Sequence, residues 1–193
     1  MGKLMAFVDG TNLLTEMGKI IGVSGIAYSP NDDAIKLGTR IIDDLLLWYR
    51  CVSVDKYRVI RSYWFGSFQG SQEQAFHLKS TLRKAEYEPM IYQKFKGGRE
   101  KKVDIAVAKE MLINAFNHNC DIALLISGDE DYVDLVQEVK RYGVTVVGAF
   151  FTQGRSPDLE LACDQFCELK VINVNKEKLV EKIRAAYPEL KPK

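Results

Sequence analysis

The stretch Asp121-Ile122-Ala123-Leu124-Leu125-Ile126-Ser127-Gly128-Asp129-Glu130-Asp131 reads as a buried strand that runs straight into a helix. A short apolar run without polar alternation is the pattern of a strand covered on both faces, as in parallel sheets. Ser127 and Gly128 suit the turn, and Asp129 stands where a helix N-terminus favours a carboxylate. The helix is expected over Asp129–Tyr142, with Gly143 as a fitting stop, and Val144–Phe150 reads as the next strand.

The rest of the chain repeats this alternation. Lys3–Val8 is a short apolar run ending at Asp9, followed by a loop rich in Gly and polar residues. Ser29-Pro30-Asn31-Asp32 opens a helix to about Tyr49: Ser29 can cap, Pro30 suits the first turn, and Asp32 favours the N-terminus. Lys56–Phe65 reads as strand two, Ser71–Tyr87 as an amphipathic helix, and Pro89–Phe95 as strand three. A helix over Asp104–Asn117 is expected to turn Ile105, Ala108, Leu112 and Ala115 inward. Leu159–Ala162 suggests a short helix, Phe166–Val174 a sixth strand, and Lys176–Ala186 a last helix. Strands alternating with helices predict an α/β fold, a three-layer sandwich around a mostly parallel sheet of five to six strands. One domain over residues 1–175 is expected, with the segment 176–193 packed on it as a helix and tail.

Composition narrows function little. The 193 residues suffice for one sizeable core, and 27 Lys plus Arg against 26 Asp plus Glu give no global attraction for nucleic acid. The local distribution is uneven: Lys94–Lys102 holds five basic residues and one acid, Asn119–Asp134 five acids and no base. Four cysteines without a CxxC pair, and two histidines, argue against a zinc site and for reduced, packed thiols, although Cys163 and Cys167 have a spacing that suits one helix face. The sequence contains no signal peptide and no run of 18 apolar residues, so a cytoplasmic location without membrane contact is the default expectation.

Three aspartates carry the chemistry. Asp9 and Asp129 follow strands that a doubly wound topology sets side by side, and their carboxyl ends face the crevice where such sheets bind ligands. Asp104 starts the helix leading back to the second of these strands. Gathered acids repel unless a proton or a cation separates them, and a hard divalent ion with oxygen ligands suits them. Mg2+ or Mn2+ at Asp9, Asp104 and Asp129 would serve phosphodiester chemistry. Asp131, in the first turn, is a further ligand candidate; Glu110, Glu130 and Asp134 are reserves that read first as solvated or structural residues. Asn12 and Thr11 after Asp9, and Ser127 before Asp129, are candidates for holding a water or a phosphate oxygen, or else turn residues. Gly10 and Gly128 either admit a ligand close to the backbone or make turns. The tract Lys94, Lys96, Arg99, Lys101 and Lys102 directly precedes Asp104, as a phosphate-gripping arm would, and Tyr92 and Phe95 could stack on bases.

These residues resemble the NYN family of PIN-like nucleases, in its bacterial LabA-like branch. Phe7-Val8-Asp9-Gly10-Thr11-Asn12 resembles the family's first motif, an apolar strand closing on Asp-Gly-x-Asn. Lys102-Val103-Asp104 resembles its Lys-x-Val-Asp step, and Ile126 to Tyr132 its Ser-Gly-Asp-x-Asp-Phe step. Lys140-Arg141-Tyr142-Gly143-Val144 and then Ser156, Leu159, Asp164 and Phe166 resemble the closing signatures, so five motifs stand in order over residues 3–170. The resemblance implies a PIN-like fold, Mg2+ or Mn2+, single-stranded RNA as partner, and cleavage by an activated water. It implies catalytic and metal-ligand roles for Asp9, Asp104 and Asp129, with Asn12, Ser127 and Asp131 in support. The family often has Asp where this chain has Glu110, a departure at that corner of the set.

Two other classes compete. A catalytically silent regulatory or scaffold protein would keep the fold and bind RNA or a protein partner, since fold does not fix function. A phosphatase with Asp9 as nucleophile wants a second Asp two residues on, where this chain has Thr11. A dinucleotide enzyme lacks its GxGxxG after strand one. The sequence leaves a homo-oligomer open.

Overall fold

Among the described residues the apolar runs form six strands: β1 (Gly2–Asp9), β2 (Tyr57–Phe68), β3 (Tyr87–Gln93), β4 (Ile122–Ile126), β5 (Thr145–Phe150) and β6 (Gln165–Glu168). A computed structural model describes residues 2–22, 26–27, 30, 32–52, 57–94 and 101–170, without the side chains of 47–52 and 101. Every strand pair is parallel, in the order β3-β2-β1-β4-β5-β6. The helices are α1 (Gly10–Ile21), α2 (Asp32–Val52), α3 (Gln72–Lys84), α4 (Lys101–Phe116), α5 (Val133–Arg141) and α6 (Pro157–Ala162). The expected α/β sandwich is therefore present, with a sheet that is wholly parallel.

The period-two alternation of each strand sends its residues to two cores. Leu4, Ala6 and Val8 of β1 pack with Leu13, Leu14 and Met17 of α1, with α2, and with Leu78 and Leu82 of α3. Met5 and Phe7 pack with Val103, Val107 and Met111 of α4 and with Val136 and Val139 of α5. β4 is buried along its whole length, which is why its sequence shows no alternation. Trp64, Phe7, Phe65 and Phe150 are the largest fully buried side chains of the sheet, each contributing about 1.5–3 kcal/mol by leaving water. Among the described residues, no helix is long and apolar enough to cross a membrane.

Several local expectations need correction. Residues 10–21 are a helix, not a loop. Asp9 is both the last residue of β1 and the N-cap of α1, its carboxylate accepting the Asn12 backbone N–H at 2.9 Å. Gly10-Thr11-Asn12 looks like a turn, yet Leu13, Leu14, Met17 and Ile21 have helical spacing and are all buried. Gly22, with φ 76°, closes the helix in the left-handed conformation.

α3 stops at Lys84, because Glu86 takes φ 65° and the chain enters β3 at Tyr87. α4 begins at Lys101, ahead of Asp104; Ala115 is buried and Ala108 and Leu112 pack on the core as expected, but Ile105 does not. Val103, Ala106, Val107, Met111 and Ala115 are buried, whereas Ile105 is 64% exposed. Apolar residues surround this helix, so spacing alone does not select a face. β3 lies at the sheet edge, where Pro89 costs no ladder bond.

Cys163 caps α6 and Cys167 lies in β6, so they do not share a helix face; both are free, as is Cys120. Within the described residues the sixth strand is Gln165–Glu168. Its expected continuation to Val174, the Ser29 cap and the helix over 176–186 fall outside the described residues.

Candidate active site

β1 and β4 are neighbours, paired from Leu4 with Ile122 to Val8 with Ile126. β2 lies beyond β1 and β5 beyond β4, so the winding reverses between them and a crevice opens at their carboxyl ends. Asp9 closes β1, Asp129 follows β4 by three residues, and Asp104 comes in from the first turn of α4.

Asp9 is the buried member, 3% exposed. Its Oδ1 accepts from the Asn12 backbone, and its Oδ2 accepts from the Tyr132 hydroxyl at 3.0 Å. Burial pushes its carboxyl up to about 7 against the opposing pull of these two hydrogen bonds, and the nearby charges of Asp104 and Asp129 add to the rise. The same Tyr132 hydroxyl lies 3.4 Å from Asp104 Oδ1. Burial, and then the charges of Asp9 and Asp104, raise the Tyr132 phenol far above its usual value, so it is a fixed donor.

Asn12 buckles the two corners together. Its Oδ1 accepts from the Gly128 backbone N–H at 3.0 Å and from Ser127 Oγ at 3.3 Å. Ser127 Oγ in turn accepts from the Asp129 backbone N–H at 3.2 Å. Asp129 caps the 3-10 turn Glu130–Tyr132 by accepting the Asp131 N–H at 3.1 Å, and that turn delivers Tyr132 under the cluster. Gly128 is required by packing: a Cβ there would collide with the Gly154 carbonyl and the Phe150 ring. Gly10 is likewise pressed against the Trp64 indole, so both glycines serve close packing within the protein.

Asp104 and Asp129 thus stand near enough to Asp9 for their charges to act on it, and Asn12 bonds the Ser127-Gly128 turn. Ser127 is fully buried, and Thr11 Oγ1 accepts the Ser67 backbone N–H at 2.9 Å, so both hydroxyls hold the rim together. Asp131 is exposed beside Glu130 and Asp134; these three and Asp158 line one acidic groove. Glu110 sits 3.5 Å from Lys109. Lys102 is exposed on α4 and Lys101 begins that helix, while Lys96, Arg99 and Phe95 fall outside the described residues. Tyr92 packs against the α4-side core. Reasoning from the sequence missed Tyr132 as a member of the site. The available signal was a tyrosine just after the last acid, since a buried phenol usually finds a partner.

The closing motif has a structural task. Ser156 caps α6, Leu159 is fully buried, and Asp164 bonds Lys140 Nζ at 2.9 Å and the Val146 N–H at 2.8 Å, tying β6 to α5 and β5.

The donor set fits Mg2+ or Mn2+ by its chemistry: hard carboxylate oxygens, with the charges of Asp104 and Asp129 raising the proton affinity of Asp9, a repulsion that a cation would relieve. The spacing is more open than a cage. Among the described residues no three His, Cys, Asp or Glu side chains stand close enough to hold an ion as they are.

Comparison with solved structures finds the same fold in a protein of unknown function from Vibrio parahaemolyticus, 18% identical, with a TM-score of 0.60 over 88% of this chain and 93% of that one. No curated protein matches. The NYN domain model matches residues 3–170, from the second residue of β1 to two residues past β6. The wholly parallel sheet, the ordered motifs and this match agree: the chain belongs to the NYN domain family.

Proposed function

We propose that this chain is a Mg2+- or Mn2+-dependent ribonuclease that hydrolyses phosphodiester bonds of single-stranded RNA. The observation that carries the reading is the meeting of Asp9, Asp104 and Asp129 at the β1–β4 switch point, with the Asp9 carboxyl raised to about 7 by burial and by its acidic neighbours. Asp9, Asp104 and Asp129 would hold the ion, with Asp131 at the open side. A bound ion there supplies orientation of the phosphate, an activated water and stabilisation of the leaving oxygen.

The chain's own residues have separable tasks. Asn12 and Ser127 fix the distance between the two strand ends, and Thr11 ties the first turn of α1 to the end of β2. The acidic groove of Glu130, Asp131, Asp134 and Asp158 repels a phosphate backbone, so RNA is expected to approach from the α4 side. There Lys102 would neutralise phosphates, and Lys101, Lys96 and Arg99 are proposed from the sequence as further phosphate contacts. Residues 1–175 would form the nuclease domain with 176–193 appended to it, in the cytoplasm, as a monomer or homo-oligomer. A second reading, a catalytically silent NYN-fold protein, is favoured by the open spacing of the acids.

The test is incubation of 5′-labelled single-stranded RNA with the protein and Mn2+ or Mg2+. EDTA, Asp9→Asn and Asp129→Asn reactions run alongside. Cleavage is expected with metal and should fall at least about 100-fold in both variants, the scale of losing a transition-state charge partner. Cleavage that survives both substitutions would overturn the site assignment. Mn2+ binding without cleavage of any RNA would favour the silent reading.

A further inference from the structure

We propose that the Tyr132 hydroxyl is a gate on the carboxylate cluster: it stands between Asp9 and Asp104, two of the residues that would hold a divalent cation, and competes with the ion for their oxygens. This rests on the metal reading above and adds a competitor to it. The hydroxyl oxygen is 3.0 Å from Asp9 Oδ2 and 3.4 Å from Asp104 Oδ1, so one proton serves two acids, mainly Asp9.

A Mg2+ or Mn2+ ion bonds carboxylate oxygens at about 2.1 Å, which draws two ligating oxygens to within roughly 3–4 Å of each other. An oxygen already at hydrogen-bond distance from both acids fills that volume. It also does part of the cation's work, since its proton lies towards two anions that repel each other.

The gate is firmly mounted. Tyr132 is 2% exposed and belongs to the core of Val103, Val107 and Met111. Its backbone is held by the 3-10 turn that Asp129 caps. Asp9 and Asp104 thus reach the hydroxyl from different elements, and closing them on an ion requires the phenol to swing or the α4 terminus to shift.

The hydroxyl therefore has two opposed effects. It steadies the metal-free cluster and weakens the hold on the ion. A tyrosine that only packed would show neither, and one that only oriented Asp9 would strengthen metal binding.

Isothermal titration of the full chain with MnCl2 separates these cases, comparing wild type with Tyr132→Phe, which keeps the ring and removes the hydroxyl. The expected result is a Kd for Mn2+ at least about fivefold lower in Tyr132→Phe, with a lower melting temperature before metal is added. Equal or weaker Mn2+ binding in the folded variant, with wild type binding Mn2+, overturns the gate and leaves the metal reading intact. No Mn2+ binding by either protein overturns both. If Tyr132→Phe fails to fold, NMR of the wild-type chain titrated with Mg2+ decides: Tyr132 ring signals that stay unmoved at saturating Mg2+ overturn the gate.

Discussion

The β1–α1 corner and the β4–α5 corner are built alike and behave differently. Each ends a central strand with an aspartate that caps the next turn: Asp9 receives the Asn12 N–H, Asp129 the Asp131 N–H. Each also has a glycine pressed against neighbouring atoms, Gly10 on Trp64 and Gly128 on the Gly154 carbonyl. Yet Asp9 is buried and lifted to about 7, while Asp129 is half-buried at the rim. The difference comes from what covers them. Asp9 lies beneath Tyr132 and against two other acids, whereas Asp129 opens on the 3-10 turn. Sequence position supplies the cap; burial lifts the Asp9 carboxyl.

The comparison can be broken most severely at Gly128. Gly128→Ala forces a Cβ into the Gly154 carbonyl, a backbone atom that cannot swing aside. A loss of roughly 3 kcal/mol or more in urea unfolding is expected, at the upper end for overpacking. A loss below about 1 kcal/mol would mean that the 151–156 segment yields easily.

A smaller effect separates the two aspartates. The folded Asp9 pKa, about 7, lies above the ordinary value of 3.8. Between those values the folded state keeps a proton that the unfolded chain releases, so stability falls as pH rises and levels off above about 7. Asp9→Asn removes that loss. Its stability relative to wild type should climb between pH 5 and pH 8 by about 2 kcal/mol, discounted from the full equivalent of the shift, and then stay flat. Melting curves across that range check it, and a gain independent of pH would show that Asp9 is not the titrating group. At Asp129 the same substitution should change stability by less than about 0.5 kcal/mol, because Asn caps as well as Asp.

Much of this was legible beforehand. The strand ends at Asp9 and Asp129 were, because a short apolar run stopping at an acid is a local signal. Their adjacency followed from the rules for alternating strands and helices. α1 escaped because the chain makes no linker between β1 and the helix. Residues that spell a turn, Gly10-Thr11-Asn12, here start a helix capped by the preceding strand's last side chain. The exposure of Ile105 escaped because apolar residues encircle α4, and only the sheet beneath selects Val103 over it. Tyr132 escaped because its partners are 28 and 123 residues away, a contact that no local pattern encodes.

The parallel pairing of β1 with β4 also has a kinetic side. Leu4 meets Ile122 only after the chain between them has been made and folded back, so this contact closes a long loop and carries its entropy cost. Pairings of that range form late and slowly. A chain emerging from synthesis displays Asp9 long before Asp104 and Asp129 exist to join it. The acid cluster, with whatever reactivity it confers, therefore comes into being only when the centre of the sheet zips shut.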